Sequence, residues 1–468
     1  MSQPMRSATE ILTDLSAGRL TAEDVMRQTL DRIAQVNGAV NAIVGLRDEE
    51  ELMQEARAAD KNAPRGPLHG LPMAVKDLVN VRGVRSTGGV LIKKDFVPTE
   101  DDLLAARLRA AGAILIGKTN VPEMGLGSHT FNRVYGATAN PYDMSRSCGG
   151  SSGGAAVALA TGMVALADGS DMMGSLRNPA AWNNVYGFRP SWGRVPSGAS
   201  GDMYLHQLST LGPMARSPED IALLLDVLAG PHPQIPLALP REEMAPLPAT
   251  ECSGMRIGWL GDWGGAFPME NGIMALCERA LGAFSDMGCH VDHLPAPFPR
   301  EKIWESWVTL RSWAVAGELF DLQQQGAELK DTAVWEMERG MALTAAQIQI
   351  ASEFRSEWFR ACAQLFETYD ALILPSAQVW PFPIEQPYPK QIAGQEMDTY
   401  HRWMEVVIPV SLLGLPSLAV PAGFGADGLP MGVQIFGRLG GDRRILSLGA
   451  AYHAHTQWPQ KAPPTDPV

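Results

Sequence analysis

The sequence is that of an α/β protein, and three observations predict this. Two short apolar runs, Leu71-Pro72-Met73-Ala74-Val75 and Ala113-Ile114-Leu115-Ile116, flank a helical stretch at 101–111, giving a strand–helix–strand rhythm. The rhythm returns at 255–260, 273–284 and 289–294, where Ile273, Leu276, Ala280, Leu281 and Phe284 share one helix face. The chain has 468 residues, 46% hydrophobic and 19% charged, with 47 glycines and 35 prolines. That is material for a large covered core with many turns, not for a disordered chain.

The chain opens with helices. Ser7-Ala8-Thr9-Glu10 has the form of a capping box ahead of Ile11, Leu12 and Leu15, and Gly18 stands where a helix would end. A second helix is expected from Thr21, with Val25, Met26, Leu30, Ile33 and Val36 at helical spacing. These elements make an N-terminal helical portion over 1–60. Six prolines from Pro231 to Pro248 mark 231–250 as a connector running over the surface. Residues 301–368 read as long helices carrying Trp304, Trp307, Trp313, Trp335 and Trp358. Those tryptophans either pack the helices together or wall a pocket for an aromatic or apolar substrate.

A formal charge of −13 and a pI near 5.2 repel phosphate backbones and anionic lipid, so neither nucleic acid nor a membrane is an expected partner. The longest apolar stretch, 155–167, is broken by Thr161 and Gly162 and falls short of the roughly 20 residues of a membrane span. The start, Met1-Ser2-Gln3-Pro4-Met5-Arg6, has no apolar leader region. Cys148, Cys252, Cys277, Cys289 and Cys362 show no C-x-x-C spacing and no paired histidines. Neither disulfides nor a zinc site is expected, and a reducing, cytoplasmic location fits.

Three patterns bear on chemistry. Gly112-Ala113-Ile114-Leu115-Ile116-Gly117-Lys118-Thr119 matches a phosphate-binding loop, but its interior favours a strand over a loop of convergent N–H groups. Gly149-Gly150-Ser151-Ser152-Gly153 matches a hydrolase nucleophile elbow, with His453 or His455 as base. An elbow follows a buried strand, and residues 143–148 are too polar for one. The third pattern combines distant segments: Lys76 at the end of Gly70-Leu71-Pro72-Met73-Ala74-Val75-Lys76-Asp77, the run Gly149 to Gly154, and Gly169-Ser170-Asp171-Met172-Met173-Gly174-Ser175-Leu176-Arg177-Asn178-Pro179-Ala180. Burial of a lysine lowers its pKa and leaves a neutral amine that can accept a proton. Lysine and serines on glycine-rich loops can then transfer an acyl group without histidine.

On these segments the sequence resembles the amidase signature family. The resemblance extends to Gly117-Lys118-Thr119-Asn120 with Glu123, Asn140-Pro141, Gly212-Pro213-Met214-Ala215-Arg216, residues 370–375 and Gly428-Leu429-Pro430-Met431-Gly432-Val433-Gln434. It implies one large domain over 1–468, with a catalytic core at 66–230 and a mixed central β-sheet covered by helices on both faces. It further implies Ser175 as nucleophile, Ser151 as a bridging serine held by a cis peptide, and Lys76 as neutral base. The N–H groups of Met172, Met173, Gly174 and Ser175 would form the oxyanion hole. No cofactor and no metal are implied.

The chain departs from the family pattern at Met172-Met173, where a glycine usually precedes Gly174, at Trp182-Asn183 in place of Cys-Gly, and at Cys148 in place of proline. A methionine held at positive φ would be strained; otherwise it lines the acyl pocket or packs. Cys148 as a rival nucleophile lacks a neighbouring histidine. The implied activity is hydrolysis of a C–N acyl bond of a small molecule, an aryl amide or a carbamate included, through an acyl-enzyme. A homodimer is compatible with this. The alternative is the glutaminase component of a tRNA-dependent amidotransferase complex, whose own motifs are not recognised in 301–368. A catalytically dead binding protein is disfavoured by the presence of Lys76 and both serines.

Overall fold

The computed structural model describes residues 5–198 and 202–465; Met1 to Pro4, part of the start read for a leader, lie outside the described residues. The first helices are α1 (Ala8–Ser16) and α2 (Ala22–Val40), each opened by a capping box, Ser7 with Glu10 and Thr21 with Asp24. Val25, Met26, Leu30, Ile33 and Val36 are buried along α2, as their spacing predicts.

The first strand–helix–strand unit is β2 (Pro72–Lys76), α4 (Leu103–Ala110) and β3 (Ile114–Thr119), preceded by β1 (Ile43–Val44) and α3 (Glu49–Lys61). β2 and β3 are parallel and β1 joins β3 antiparallel, so this unit makes its own three-stranded sheet. Most of the phosphate-binding-loop match is thus strand β3, with Lys118 fully buried in it. The small sheet sits against the main one, where the Lys76 N–H donates to Asp168 Oδ1 at 2.9 Å.

The chain continues through α5 (Gly153–Ala160), β4 (Leu166–Asp171), α6 (Arg177–Trp182), β5 (Tyr186–Arg189), β6 (Thr210–Ala215) and α7 (Pro218–Leu228). Residues 231–250 contain neither helix nor strand beyond one isolated bridge; the N–H groups of Met244 and Ala245 bond the Asp226 carboxylate at 2.7 and 2.9 Å. Then follow β7 (Arg256–Trp259), α8 (Ile273–Asp286), β8 (His290–His293), α9 (Arg300–Gln324), α10 (Asp331–Met341), α11 (Ala345–Thr368) and β9 (Ala371–Pro375). After them come α12 (Ile408–Leu413), β10 (Ser417–Phe424), β11 (Pro430–Phe436), α13 (Asp442–Thr456) and the short α14 (Trp458–Lys461).

The main sheet has eight strands in the order β8-β7-β9-β11-β10-β5-β6-β4. Only β7 pairs in parallel, with β8 and β9, and every other pairing is antiparallel. Helices α7, α8 and α13 pack together over one face, and α5 and α6 cover the other. One close approach is at Gly187 of β5, where a Cβ would run into the Leu176 carbonyl ahead of α6. That intimacy places the turn between β4 and α6 directly on the sheet. Among the described residues no helix is long and apolar enough to cross a membrane.

The tryptophans of 301–368 divide. Trp307 and Trp358 are fully buried, and Trp358 donates to the Pro409 carbonyl at 2.9 Å. Trp304 lies under the Arg402 guanidinium at 3.5 Å, and Trp335 is 37% exposed.

Candidate active site

Strand β2 delivers Lys76 to the boundary between the two sheets, where the side chain is 1% exposed. Its Nζ lies 2.8 Å from Ser151 Oγ, 2.8 Å from Ser152 Oγ and 2.9 Å from Ser170 Oγ. Burial pulls the Lys76 ammonium down from 10.5 to about 7, against the carboxylates of Asp168 and Asp171, which favour the charged form. An ammonium donates to all three hydroxyls; the neutral amine donates two hydrogens and accepts the third from a serine. Asp168 was not legible as a site residue, and burial raises its own carboxyl.

The Gly150–Ser151 peptide is cis. The loop around it is fastened from outside by Ser128, whose Oγ donates to the Gly150 carbonyl at 2.6 Å, and by Thr130, whose Oγ1 donates to that of Gly149 at 2.8 Å. The Ser152 N–H donates to the Ser175 carbonyl at 3.2 Å, joining the two glycine-rich segments. Residues Asp143–Ser147 do form a strand, contrary to the reading of that stretch as too polar for one. It pairs with Ala139–Asn140, with one further bridge from Arg146 to Pro383, and only Ser147 is buried, so pairing with short partners overrides polarity without making a buried strand before an elbow. His453 bonds the Tyr186 hydroxyl at 2.9 Å and does not join the serines.

Strand β4 ends at Asp171, which organises the turn carrying Ser175. Its carboxylate accepts the Gly174 N–H at 2.9 Å, the Leu176 N–H at 3.2 Å, and Arg177 Nε and Nη2 at 3.0 Å each. Burial alone would raise this carboxyl, but the Arg177 and Arg189 guanidinium groups hold it well below the usual range. Arg177 also reaches the Val407 carbonyl at 3.1 Å, Ser411 Oγ at 2.7 Å, and the Gln434 amide oxygen.

This corrects one expectation: the Gly174 N–H is already committed to Asp171 and is not an open oxyanion donor. Gly174 instead supplies conformation, at φ +78°, where a Cβ would strike the Asn178 side chain. The N–H groups of Met172, Met173 and Ser175 have no hydrogen-bond partner among the described residues. Neither methionine has positive φ, so the backbone strain considered for Met173 is absent.

One cavity is lined by Ser151, Ser170, Ser175, Met172, Met173 and Arg311, with apolar walls from Leu78, Met124, Leu126, Val315, Leu319 and Met404. Ser175 is 8% exposed and its Oγ has no hydrogen-bond partner among the described residues. Lys76 does not line the cavity. Helix α9 contributes Arg311, Val315 and Leu319 to the wall, whereas no tryptophan of 301–368 lines it. Cys148 is fully buried and its thiol is pushed up to about 12 by burial, which keeps it from being a nucleophile. Asn183 bonds the carbonyls of Cys148 and Pro179 at 2.8 and 2.7 Å, so the unusual Trp182-Asn183 pair is structural.

The family model described as Amidase matches residues 24–446. An acylamidase of Rhodococcus erythropolis is 33% identical over 468 residues, covering 98% of this chain and 97% of that protein. One of the subunits of the glutamyl-tRNA(Gln) amidotransferase of Thermus thermophilus is also 33% identical, over 96% of this chain and 97% of its own length. Among solved structures, a bacterial aryl acylamidase of the amidase signature enzymes superposes with a TM-score of 0.92 at 28% identity, covering 99% of both chains. The match across nearly the whole chain, over the fold just described, establishes that this protein is an amidase of the amidase signature family, acting on carbon–nitrogen bonds.

Proposed function

We propose that the protein hydrolyses the C–N acyl bond of an apolar small-molecule amide, an aryl amide in the first instance, with Ser175 as nucleophile, Ser151 as relay and Lys76 as base. One observation carries this reading: Lys76 touches Ser151 but is sealed from the cavity that Ser151 and Ser175 share. A proton leaving the cavity for the amine therefore passes through a serine hydroxyl. Ser175 Oγ attacks the acyl carbon and gives its proton to Ser151, whose own proton moves to Lys76 Nζ. The oxyanion that forms is met by the open N–H groups of Met172, Met173 and Ser175. Lys76 returns a proton through Ser151 to the leaving nitrogen, the C–N bond breaks, and the amine departs. Water, deprotonated along the same path, then attacks the acyl-enzyme and releases the acid. Carbamates fit the same steps.

Turnover of a chromogenic anilide by the purified chain, set against aliphatic amides, carbamates, ureas and glutamine, tests the reading. Hydrolysis of glutamine alone, with copurifying partner proteins, would favour the second one, the glutaminase of a tRNA-dependent complex. That reading draws on the similarity to the Thermus thermophilus amidotransferase.

Two further outcomes are expected. Met173, 4% exposed and on the cavity wall, should act through shape. Met173→Gly should change the ranking of bulky against small acyl groups by ~1–3 kcal/mol, whereas equal changes in kcat/KM across an acyl-size series would confine its role to the backbone. Asp168→Asn keeps an acceptor for the Lys76 N–H but removes the charge that most favours the ammonium. The pH midpoint of kcat/KM should move toward acid. An unmoved midpoint would show that Lys76 feels no charge on Asp168.

A further inference from the structure

The reaction cavity contains a buried cation with an incomplete set of partners. Arg311 projects from α9, 5% exposed, and its Nε and Nη2 hold the Glu336 carboxylate at 2.6 and 3.2 Å. Nη2 also donates to the Tyr400 hydroxyl at 3.2 Å, and Nε lies 3.1 Å from His401 Nε2. Tyr400 in turn donates to Glu336. Nη1 has a single partner among the described residues, Met172 Sδ at 3.3 Å. A thioether is a weak acceptor, and Nη1 carries two hydrogens.

The charges around it select the kind of ligand. Glu336 offsets the guanidinium; burial alone would raise its carboxyl, but Arg311 and His401 hold it well below the usual range. Burial also lowers His401, despite the Glu336 charge beside it. Glu318, the remaining charged side chain on the cavity wall, is exposed and negative. An anionic substrate would meet that carboxylate, while Arg311, the cation that lines the cavity, is already compensated by Glu336.

We propose that Arg311 Nη1 is a substrate-recognition donor that binds a neutral acceptor oxygen, of the ketone or amide type, carried by the substrate away from the scissile bond and taking the place of Met172 Sδ. This rests on the amidase reading of the same cavity. The guanidinium is already fixed by Glu336 and Tyr400, so little side-chain freedom is lost when a ligand binds. A charge-assisted bond to oxygen outweighs one to a thioether. A site built to hydrogen-bond a substrate oxygen rejects the analogue lacking it far more strongly than a pocket rejects an extra methylene. The substrate class is thereby narrowed to apolar amides with one remote neutral oxygen.

The test is calorimetric binding to the Ser175→Ala protein. Two anilide series are compared, with a methylene, a ketone or a carboxylate placed either in the acyl chain or on the aniline ring. In one series the ketone should bind about tenfold tighter, or more, than the other two. In the Arg311→Met/Glu336→Gln pair, which leaves no lone buried carboxylate, the ratio should fall to within about twofold. Met172→Leu, which uncovers Nη1, should raise it, and this arm stands if the paired variant does not fold. Equal affinities in both series, a carboxylate as the best ligand, a preference that survives the paired replacement, or no rise with Met172→Leu would overturn the proposal. Absence of wild-type turnover with every anilide would count against the hydrolase reading, whereas the affinities decide this one.

Discussion

Replacing Ser175 by alanine is expected to lower anilide turnover by at least ~10⁴-fold, because it removes the atom proposed to form the acyl-enzyme. The same change should leave the thermal midpoint almost unmoved. Ser175 Oγ has no hydrogen-bond partner among the described residues, so its loss orphans no buried group, and the turn stays fastened by the Asp171 carboxylate through the Gly174 and Leu176 N–H groups. Parallel measurement of kcat and of the melting temperature separates the two effects. Activity within tenfold of wild type would transfer the attack to another cavity hydroxyl, Ser151 and Ser170 being the first to test.

Lys76→Ala should cost about 10³-fold or more, since among the described residues the serines around Nζ hydrogen-bond no other basic side chain. The wild-type pH profile carries the same information without a mutation. In the proposed mechanism the active form is the neutral amine, and burial brings the Lys76 pKa down to about 7. Below that value each unit of acid removes about nine-tenths of the competent enzyme, and above it the rate levels off. Activity should therefore climb through neutrality to an alkaline plateau. A rate that is flat from pH 5 to 8, a range on both sides of that value, would contradict a lysine base.

Sequence periodicity was a good guide where local pattern and burial coincide. The capping boxes at Ser7 and Thr21, strand β3 under the phosphate-binding-loop match, and Lys76 at the end of β2 were all legible for that reason. Hydrogen bonding through the loops was not. The Gly174 N–H bonds the Asp171 carboxylate only three residues away, yet whether that local bond forms depends on how the turn after β4 is folded. Ser152 and Ser170 lay inside recognised motifs, yet their convergence on Lys76 joins two glycine-rich segments with a third. Arg311 left no sequence signal: it is one charge among many on a long helix, distinguished only by the cavity it reaches. The tryptophans of 301–368 drew attention by size, and the pocket took its wall from Arg311, Val315 and Leu319 instead.

The Arg177 guanidinium gives the enzyme an order of assembly. Its clasp partners Val407, Ser411 and Gln434 lie 230, 234 and 257 residues downstream. On the ribosome, Lys76, Ser151 and Ser175 are therefore all synthesised long before the strand that steadies their geometry. Closing so long a loop is slow compared with forming the local helices. A nascent chain that has passed Ser175 but not Gln434 holds the proposed catalytic residues without that clasp, so their braced geometry waits on the synthesis of β11.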